Sequence, residues 1–349
     1  MPEPTAELVE PTRADIDGLL ALSSASNWNQ NPDDWLWMLE HGRTRALRVD
    51  GRLIASTLVL PWSNDPIDSG ASALAAAPAP PAEMKDTEPG PHSASAEMGS
   101  TKRPPASLAW ISMVLVLPEH RGQGHARTLL RESLAWLRQP SQGHLLALLD
   151  ATPAGRPVYL REGFTDLWGF SRWERRSESA SVPRRLPPDR SVSLSGPSVT
   201  ASMLNAVLGL DRIAFGASRA RLIEDLIRRA PALARADLVD GDLRGFILAR
   251  PGRVATQIGP LIARDRHSAE TLLDQTLSTV SGPTFIDVPD NRSELAALLT
   301  AQGFTRQRPF TRMVLDPASP SRPAPVERDT PELAGNRALI WAVAGPELG

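Results

Sequence analysis

Three short anchors occur twice in this chain, in the same order, and nothing else in the sequence narrows the fold so far. Val49-Asp50-Gly51 returns as Val239-Asp240-Gly241, a hairpin signal in which aspartate and glycine tolerate the positive φ of a tight turn. Ala126, Leu129, Leu130 and Leu134 lie at helical spacing, and Ala269, Leu272, Leu273 and Leu277 repeat it. Gly163-Phe164-Thr165 opens a strand, as does Gly303-Phe304-Thr305. The first two anchors stand further apart in the first copy, by close to the length of one segment, Asn64 to Ser107. Setting that segment aside brings the copies nearly into register. Two units of one fold are therefore expected, and 349 residues suit two cores of roughly 150 residues each.

Asn64 to Ser107 is almost all Ala, Pro, Ser, Gly and charge, without periodicity. It cannot bury enough apolar surface to offset its ordering entropy, and it reads as a disordered surface insertion. The chain's 33 prolines, nearly twice the average ~5%, gather there and in the polar stretch before residue 197. The expected layout is a first domain over 1–176 carrying the insertion at 64–107, a linker at 177–196, a second domain at 197–316 and a tail at 317–349. Within the first domain, Thr12 and Asp15 form a capping-box pair, Asn31-Pro32 opens a second helix, and Trp110 to Leu117 is a near-continuous apolar strand. Leu145 to Leu149 is a further buried strand.

Composition removes several function classes. Net charge is −2, with both signs interspersed, so a nucleic-acid partner is not expected. No cysteine means no disulfide and no thiolate chemistry. The six histidines are scattered, and His120 and His125 lack a third ligand at useful spacing, so no metal site is expected. No run of ~18 apolar residues and no leader pattern occur, so a soluble cytoplasmic protein, monomer or homodimer, without membrane contact is the expectation.

Between Leu117 and the helix at Ala126 lies P-E-H-R-G-Q-G-H-A-R. A strand, a glycine turn and a helix start aim successive N–H groups at one spot, and the helix dipole adds about half a positive charge there. Gly122 and Gly124 leave room for a pyrophosphate to approach those amides. No lysine followed by Ser or Thr closes the turn, which argues against a nucleoside triphosphatase, and no G-x-G-x-x-G is present.

Arg121-Gly122-Gln123-Gly124-His125-Ala126 resembles the R/Q-x-x-G-x-G/A signature that the GNAT acetyltransferase superfamily carries after its fourth strand. V-L-V-L-P-E-H before it, the strand L-L-A-L-L-D and V-Y-L-R-E-G-F continue the likeness over about residues 5–175, except that T-P-A-G-R-P stands where relatives often keep an asparagine. The whole is similar to bacterial tandem GNAT proteins. The resemblance implies an α/β fold of two GNAT-like domains, each a mostly antiparallel mixed sheet splayed between its fourth and fifth strands. It implies acetyl-CoA as acyl donor and a small-molecule or protein amine as acceptor. By the same resemblance, Val114, Leu115 and Val116 would pair with the pantetheine arm and Arg121, Gly122, Gln123, Gly124, His125, Ala126 and Arg127 would hold the pyrophosphate.

Tyr159, the only tyrosine in the chain, falls where the family places its general acid, which would protonate the departing CoA thiolate. Asp150, at the end of the fifth strand, is the candidate base. Trp28, Asn29, Asp34 and Trp35 lie in the helical pair that lines the acceptor side in relatives, where carboxylates beside indoles suit an ammonium group. In the second copy, Arg264-Asp265-Arg266-His267-Ser268-Ala269 falls on Arg121 to Ala126 with both glycines lost and a carboxylate introduced. That copy is expected to be degenerate, a GNAT-like fold without a working CoA site. A non-enzymatic acyl-CoA sensor, which would keep the turn but have no use for Tyr159, is the alternative reading.

Overall fold

A computed structural model describes residues 6–62, 107–142, 145–176, 191–197, 199–317 and 335–349. Nearly all of the expected insertion, and residues 177–190 of the expected linker, lie outside these. The first copy runs β1 (Glu7–Val9), α1 (Ile16–Ala25), α2 (Pro32–His41), β2 (Arg43–Val49), β3 (Arg52–Trp62), β4 (Ser107–Val116), α3 (His125–Leu137), β5 (Leu145–Ala151), α4 (Arg156–Arg161) and β6 (Thr165–Arg175). The second repeats the series as β7 (Ser191–Ser193), α5 (Ala201–Phe215), α6 (Ala220–Arg229), β8 (Arg235–Val239), β9 (Asp242–Arg250), β10 (Thr256–Ala263), α7 (Arg266–Thr279), β11 (Thr284–Pro289), α8 (Ser293–Ala301) and β12 (Thr305–Leu315). A last strand, β13 (Ile340–Ala342), follows. Residues 191–193, within the stretch expected to be linker, pair with β8 instead.

Local chemistry accounts for the boundaries. The Thr12 and Asp15 capping box closes a short 3-10 turn that leads into α1, and Asn31 with Asp34 closes the same kind of box on α2, with Pro32 at its first position. Asp50 and Asp240 sit at φ 47° and 52°, followed by Gly51 and Gly241 at 79° and 87°. Both hairpins thus make the turn whose twist matches their strands. β3 is buried on both faces. Leu58 and Leu60 join Leu19, Leu22, Trp35, Met38 and Trp110 in one core, while Val59 joins Ala109, Ile111, Leu130, Leu134 and Leu137 in another. Helices α1 and α2 cover one side of the sheet and α3 the other.

The strands form a single sheet in the order β1-β2-β3-β4-β5-β12-β6-β11-β10-β9-β8-β7, with β13 on β10. Its centre shows an exchange. β12, from the second copy, lies between β5 and β6 of the first, and β6 lies between β12 and β11 of the second. β6 and β12 run antiparallel with Phe170 opposite Phe310, and those rings stack at 5.0 Å. Two buried ion pairs flank the stack. Arg312 on β12 donates two 2.9 Å bonds to Asp150 on β5, and Arg172 on β6 donates two 2.8 Å bonds to Asp287 on β11. Each copy's arginine reaches the other's aspartate, and losing one partner of such a pair costs about 3–5 kcal/mol.

Each copy also contains a splay. β4 pairs in parallel with β5 only over Ser107–Trp110 against Leu145–Leu148, and β10 pairs with β11 only over Thr256–Ile258 against Thr284–Ile286. In the second copy the gap is filled by the chain itself. Ile340 and Ala342 of β13 pair with Ile262 and Leu261, Val343 N–H donates to Asp287 O at 3.0 Å, and the Trp341 indole donates to Ala263 O at 3.1 Å. Gly259 makes this possible, since a Cβ there would collide with the Val343 carbonyl.

Candidate active site

In the first copy the splay opens a pocket of about 900 Å³. One wall is β4 from Ile111 to Val116, whose edge toward β5 carries no strand partner beyond Trp110 among the described residues. Met113 has φ 51°, and Ser56 Oγ donates to its carbonyl at 2.9 Å, so a bulge kinks β4 just past the point where it leaves β5. The facing wall is Asp150, the 152–155 turn, and Val158 and Tyr159 of α4. Ser26, Trp28, Arg308 and Pro346 complete it, so the second copy and the tail both reach into the first copy's site.

The glycine turn forms the remaining side. After a 3-10 turn at Pro118–His120, Gly122 and Gly124 take φ 78° and 84°, and Gly124 caps α3. A Cβ built on either glycine meets nothing within 4 Å. The space in front of the turn is open, the backbone conformation favours glycine, and the first amides of α3 have no acceptor within the helix. Such a turn could receive an anionic diphosphate, and the edge of β4 beside it could pair with an extended arm. Of the residues expected to hold CoA, Val114, Leu115, Val116, Arg121, Gly122, Gly124, His125, Ala126 and Arg127 line the pocket. Gln123 does not, and its side-chain Oε1 lies 3.1 Å from His125 Nε2. The Arg121 side chain folds back to Val116 O at 3.1 Å, and that of Arg127 pairs with Glu162 at 2.6 Å. The Arg121 N–H is already taken by Pro118 O at 3.3 Å, so of these two only Arg127, in the first turn of α3, adds a backbone N–H without an acceptor inside the helix.

Tyr159 stands in the pocket wall with its ring edge-on to Phe164, 6.0 Å away. Gly155 gives it room, since a Cβ there would come within 3.1 Å of the ring. Burial pushes the phenol well above its ordinary range. It therefore stays protonated at any working pH. Asp150 also lines the pocket, but both of its oxygens accept from Arg312, whose guanidinium lies between Trp110 and Trp168 at 4.6 and 4.5 Å from the ring centres. Burial raises the carboxyl and Arg312 pulls it back, with burial the larger. Its geometry is that of a structural ion pair rather than of a free proton acceptor.

Of the four residues expected on the acceptor wall, the structure brings only Trp28 to the pocket. The other three are corrected by their surroundings. Asn29 is 2% exposed and clamps the second copy, accepting from Val254 and Ala255 N–H and donating to Ala255 O at 2.9 Å. Asp34 is buried between Arg250 at 2.7 Å and Arg229 at 2.8 Å, and Arg250 also pairs with Glu347 of the tail. Trp35 is fully buried, its indole donating to Ser23 Oγ. Each supplies the polar partner or volume that a neighbouring element lacks, and none has a group left for a substrate.

Arg308, Arg312 and Pro346 were not singled out from sequence. A signal for the arginine pairs existed. The spacing that carries Gly163-Phe164-Thr165 to Gly303-Phe304-Thr305 also carries Phe170-Ser171-Arg172 to Phe310-Thr311-Arg312.

Known proteins agree with this architecture. Models described as an acetyltransferase (GNAT) domain match residues 92–166 and again residues 207–325. The uncharacterized N-acetyltransferase YitH of Bacillus subtilis is 24% identical over 197 residues, 56% of this chain and 66% of that protein, so the match spans just under two thirds of the relative. Among solved structures, one from Pyrococcus horikoshii superposes with a TM-score of 0.66 at 16% identity, covering 99% of this chain and 96% of its own. A tandem GNAT protein from the clavulanic acid biosynthesis pathway gives 0.55 at 16%, over 91% of this chain and all of its own. With matched domains in both halves of a chain whose halves share one sheet, this protein belongs to the GNAT acetyltransferase superfamily as a tandem-domain member.

Proposed function

We propose that the first copy binds acetyl-CoA and passes its acetyl group to a primary amine by direct attack on the thioester. One observation carries this reading: a free strand edge, an open glycine turn at a helix start and a protonated tyrosine all face a single pocket. The donor's pyrophosphate would meet the amides from Gly122 to Arg127, and its pantetheine arm would lie along Val114 to Val116 as an added strand. The amine attacks the carbonyl carbon, the N–C bond forms, and an N–H of the same strand stabilises the oxyanion. As the C–S bond breaks, Tyr159 donates its proton to sulfur, and the tyrosinate is reprotonated from solvent. A phenol raised by burial is a weak acid toward a thiol of pKa about 8.5, so transfer waits until charge has built up on a poorly solvated sulfur. Because Arg312 occupies Asp150, the amine's proton goes to water rather than to that carboxylate.

The test is thiol release from acetyl-CoA against a panel of small amines and lysine peptides. Release with one acceptor class supports the reading. Tight acetyl-CoA binding with no release for any amine would leave a binding protein instead.

A further inference from the structure

Arg308 is a half-buried cation, and among the described residues it has no ion-pair partner. Its Nε and Nη2 atoms are inaccessible and have no hydrogen-bond partner, although the side chain lines the pocket. Its guanidinium lies 5.3 Å from the Trp28 ring and 5.1 Å from that of Phe310, contacts that hold it in place but satisfy no N–H. The nearby carboxylates are engaged elsewhere. Asp287 takes both bonds from Arg172 and a third from Gln257, and Asp150 is held by Arg312. Burial, and then Arg172 nearby, push Arg308 down to about 10, so it is charged at neutral pH.

The fold does not require a cation here. The position that the duplication places on Arg308 is Trp168 of β6, which packs over Arg312 and Arg337. Nor does the donor's diphosphate account for it, because that group is served by the turn on α3, whereas Arg308 lies on β12 past the end of β5. Thr311 is the last β12 residue to pair with β5, at Ala151, and Arg308 comes three residues earlier. Trp28 beside it is fixed by the clamp between the α1–α2 loop and the second copy, in which Arg253 donates to the Trp28 carbonyl at 3.0 Å.

We infer that Arg308 receives an anionic group on the acceptor, so that the substrate class is a primary amine carrying a carboxylate or a phosphate. The inference rests on the acyl-transfer reading of the same pocket. A guanidinium that keeps its charge without a carboxylate partner suits recognition of either anion. The second copy would then contribute specificity to a site whose chemistry lies in the first.

The test uses matched pairs of amines with the full chain and acetyl-CoA: ω-amino acids of increasing length against their amides, and phosphoethanolamine against ethanolamine. Thiol release should favour the anionic member of at least one pair by about tenfold or more in kcat/KM, and the favoured pair distinguishes carboxylate from phosphate. Arg308→Gln should lower kcat/KM for that anionic acceptor by roughly 10- to 100-fold more than for its neutral partner, so that the preference for the anion collapses. Equal use of both members by the wild type would overturn the inference, and so would an Arg308→Gln variant that loses both members alike. Should no amine release thiol, calorimetry of the CoA-loaded chain with N-acetyl-β-alanine, N-acetyl-phosphoethanolamine and their neutral counterparts decides separately. Binding of only an anionic member keeps the anion site while the acyl-transfer reading falls. No difference between members removes both.

Discussion

The two splays of this molecule are the same piece of architecture with opposite contents. Between β4 and β5 the gap is a pocket, rimmed by glycines whose missing side chains leave open space. Between β10 and β11 the gap holds β13, and Gly259 admits the tail's backbone rather than a ligand. One fold therefore supports both an open pocket and a structural joint, and what separates them is which backbone pairs with the freed strand edge. The joint reaches further than its own copy. Residues after β13 place the Pro346 carbonyl under the Trp110 indole at 3.1 Å and Glu347 against Arg250, so the filled cleft helps to build the open one.

The largest effect that should separate the two copies is at Gly124. A valine there would have to adopt φ 84°, a conformation β-branched residues avoid, and would place carbon where the diphosphate must go. Acetyl-CoA binding should vanish in calorimetry, with circular dichroism unchanged. Retained affinity would mean the turn is not the anion site.

Tyr159→Phe comes next. If the hydroxyl supplies only the leaving-group proton, kcat should fall by about 10²-fold while the KM for acetyl-CoA changes little. Because burial raises the phenol, wild-type kcat should show no alkaline fall attributable to this group below about pH 10, its ordinary pKa. A variant with wild-type turnover, or an alkaline limb that the Phe variant abolishes below that pH, would count against the role.

A smaller effect, on stability rather than chemistry, belongs to the filled cleft. Trp341 is 5% exposed and donates to Ala263 O. Trp341→Ala should cost about 3–5 kcal/mol in denaturant unfolding and leave acetyl-CoA bound at one equivalent. Wild-type stability would show that β13 merely rests on the sheet.

Much of this was legible in the sequence because it depends on local rules. The hairpins at Asp50 and Asp240, the capping box at Thr12 and the helix start at Asn31-Pro32 each follow from a few neighbouring residues. The glycine turn was equally readable, since positive φ and open space are what two glycines beside a helix start provide. What depends on long-range pairing was not readable. Asn29, Asp34 and Trp35 sit on the expected helical pair, yet their partners are Ala255, Arg250 and Ser23, and two of those three come from the other copy. The exchange of β6 and β12 was likewise hidden, because a strand carries no local mark of which sheet edge it joins. Asp150 illustrates the cost. Its place at the end of β5 suggested a base, but Arg312, which changes that reading, arrives on an exchanged strand.

The last prediction is of no effect, and it concerns the donor site that the second copy is proposed to lack. The residues aligned with the glycine turn, Asp265 and His267, offer one explanation: a carboxylate that repels phosphate and a ring that takes its space. The structure gives Asp265 another occupation, since it caps α7 by accepting from Ser268 N–H at 2.9 Å and pairs with Arg244 at 2.9 Å. Were the turn the only obstacle, restoring glycine at both positions would restore a site. But the strand edge that would take the pantetheine arm is already paired with Ile340 and Ala342, and displacing β13 would expose Trp341 and break its bond to Ala263. Asp265→Gly with His267→Gly should therefore cost about 1 kcal/mol or less through the lost cap and still bind one acetyl-CoA per chain. A stoichiometry of two would place the difference between the copies in the turn and not in the strand that fills the cleft.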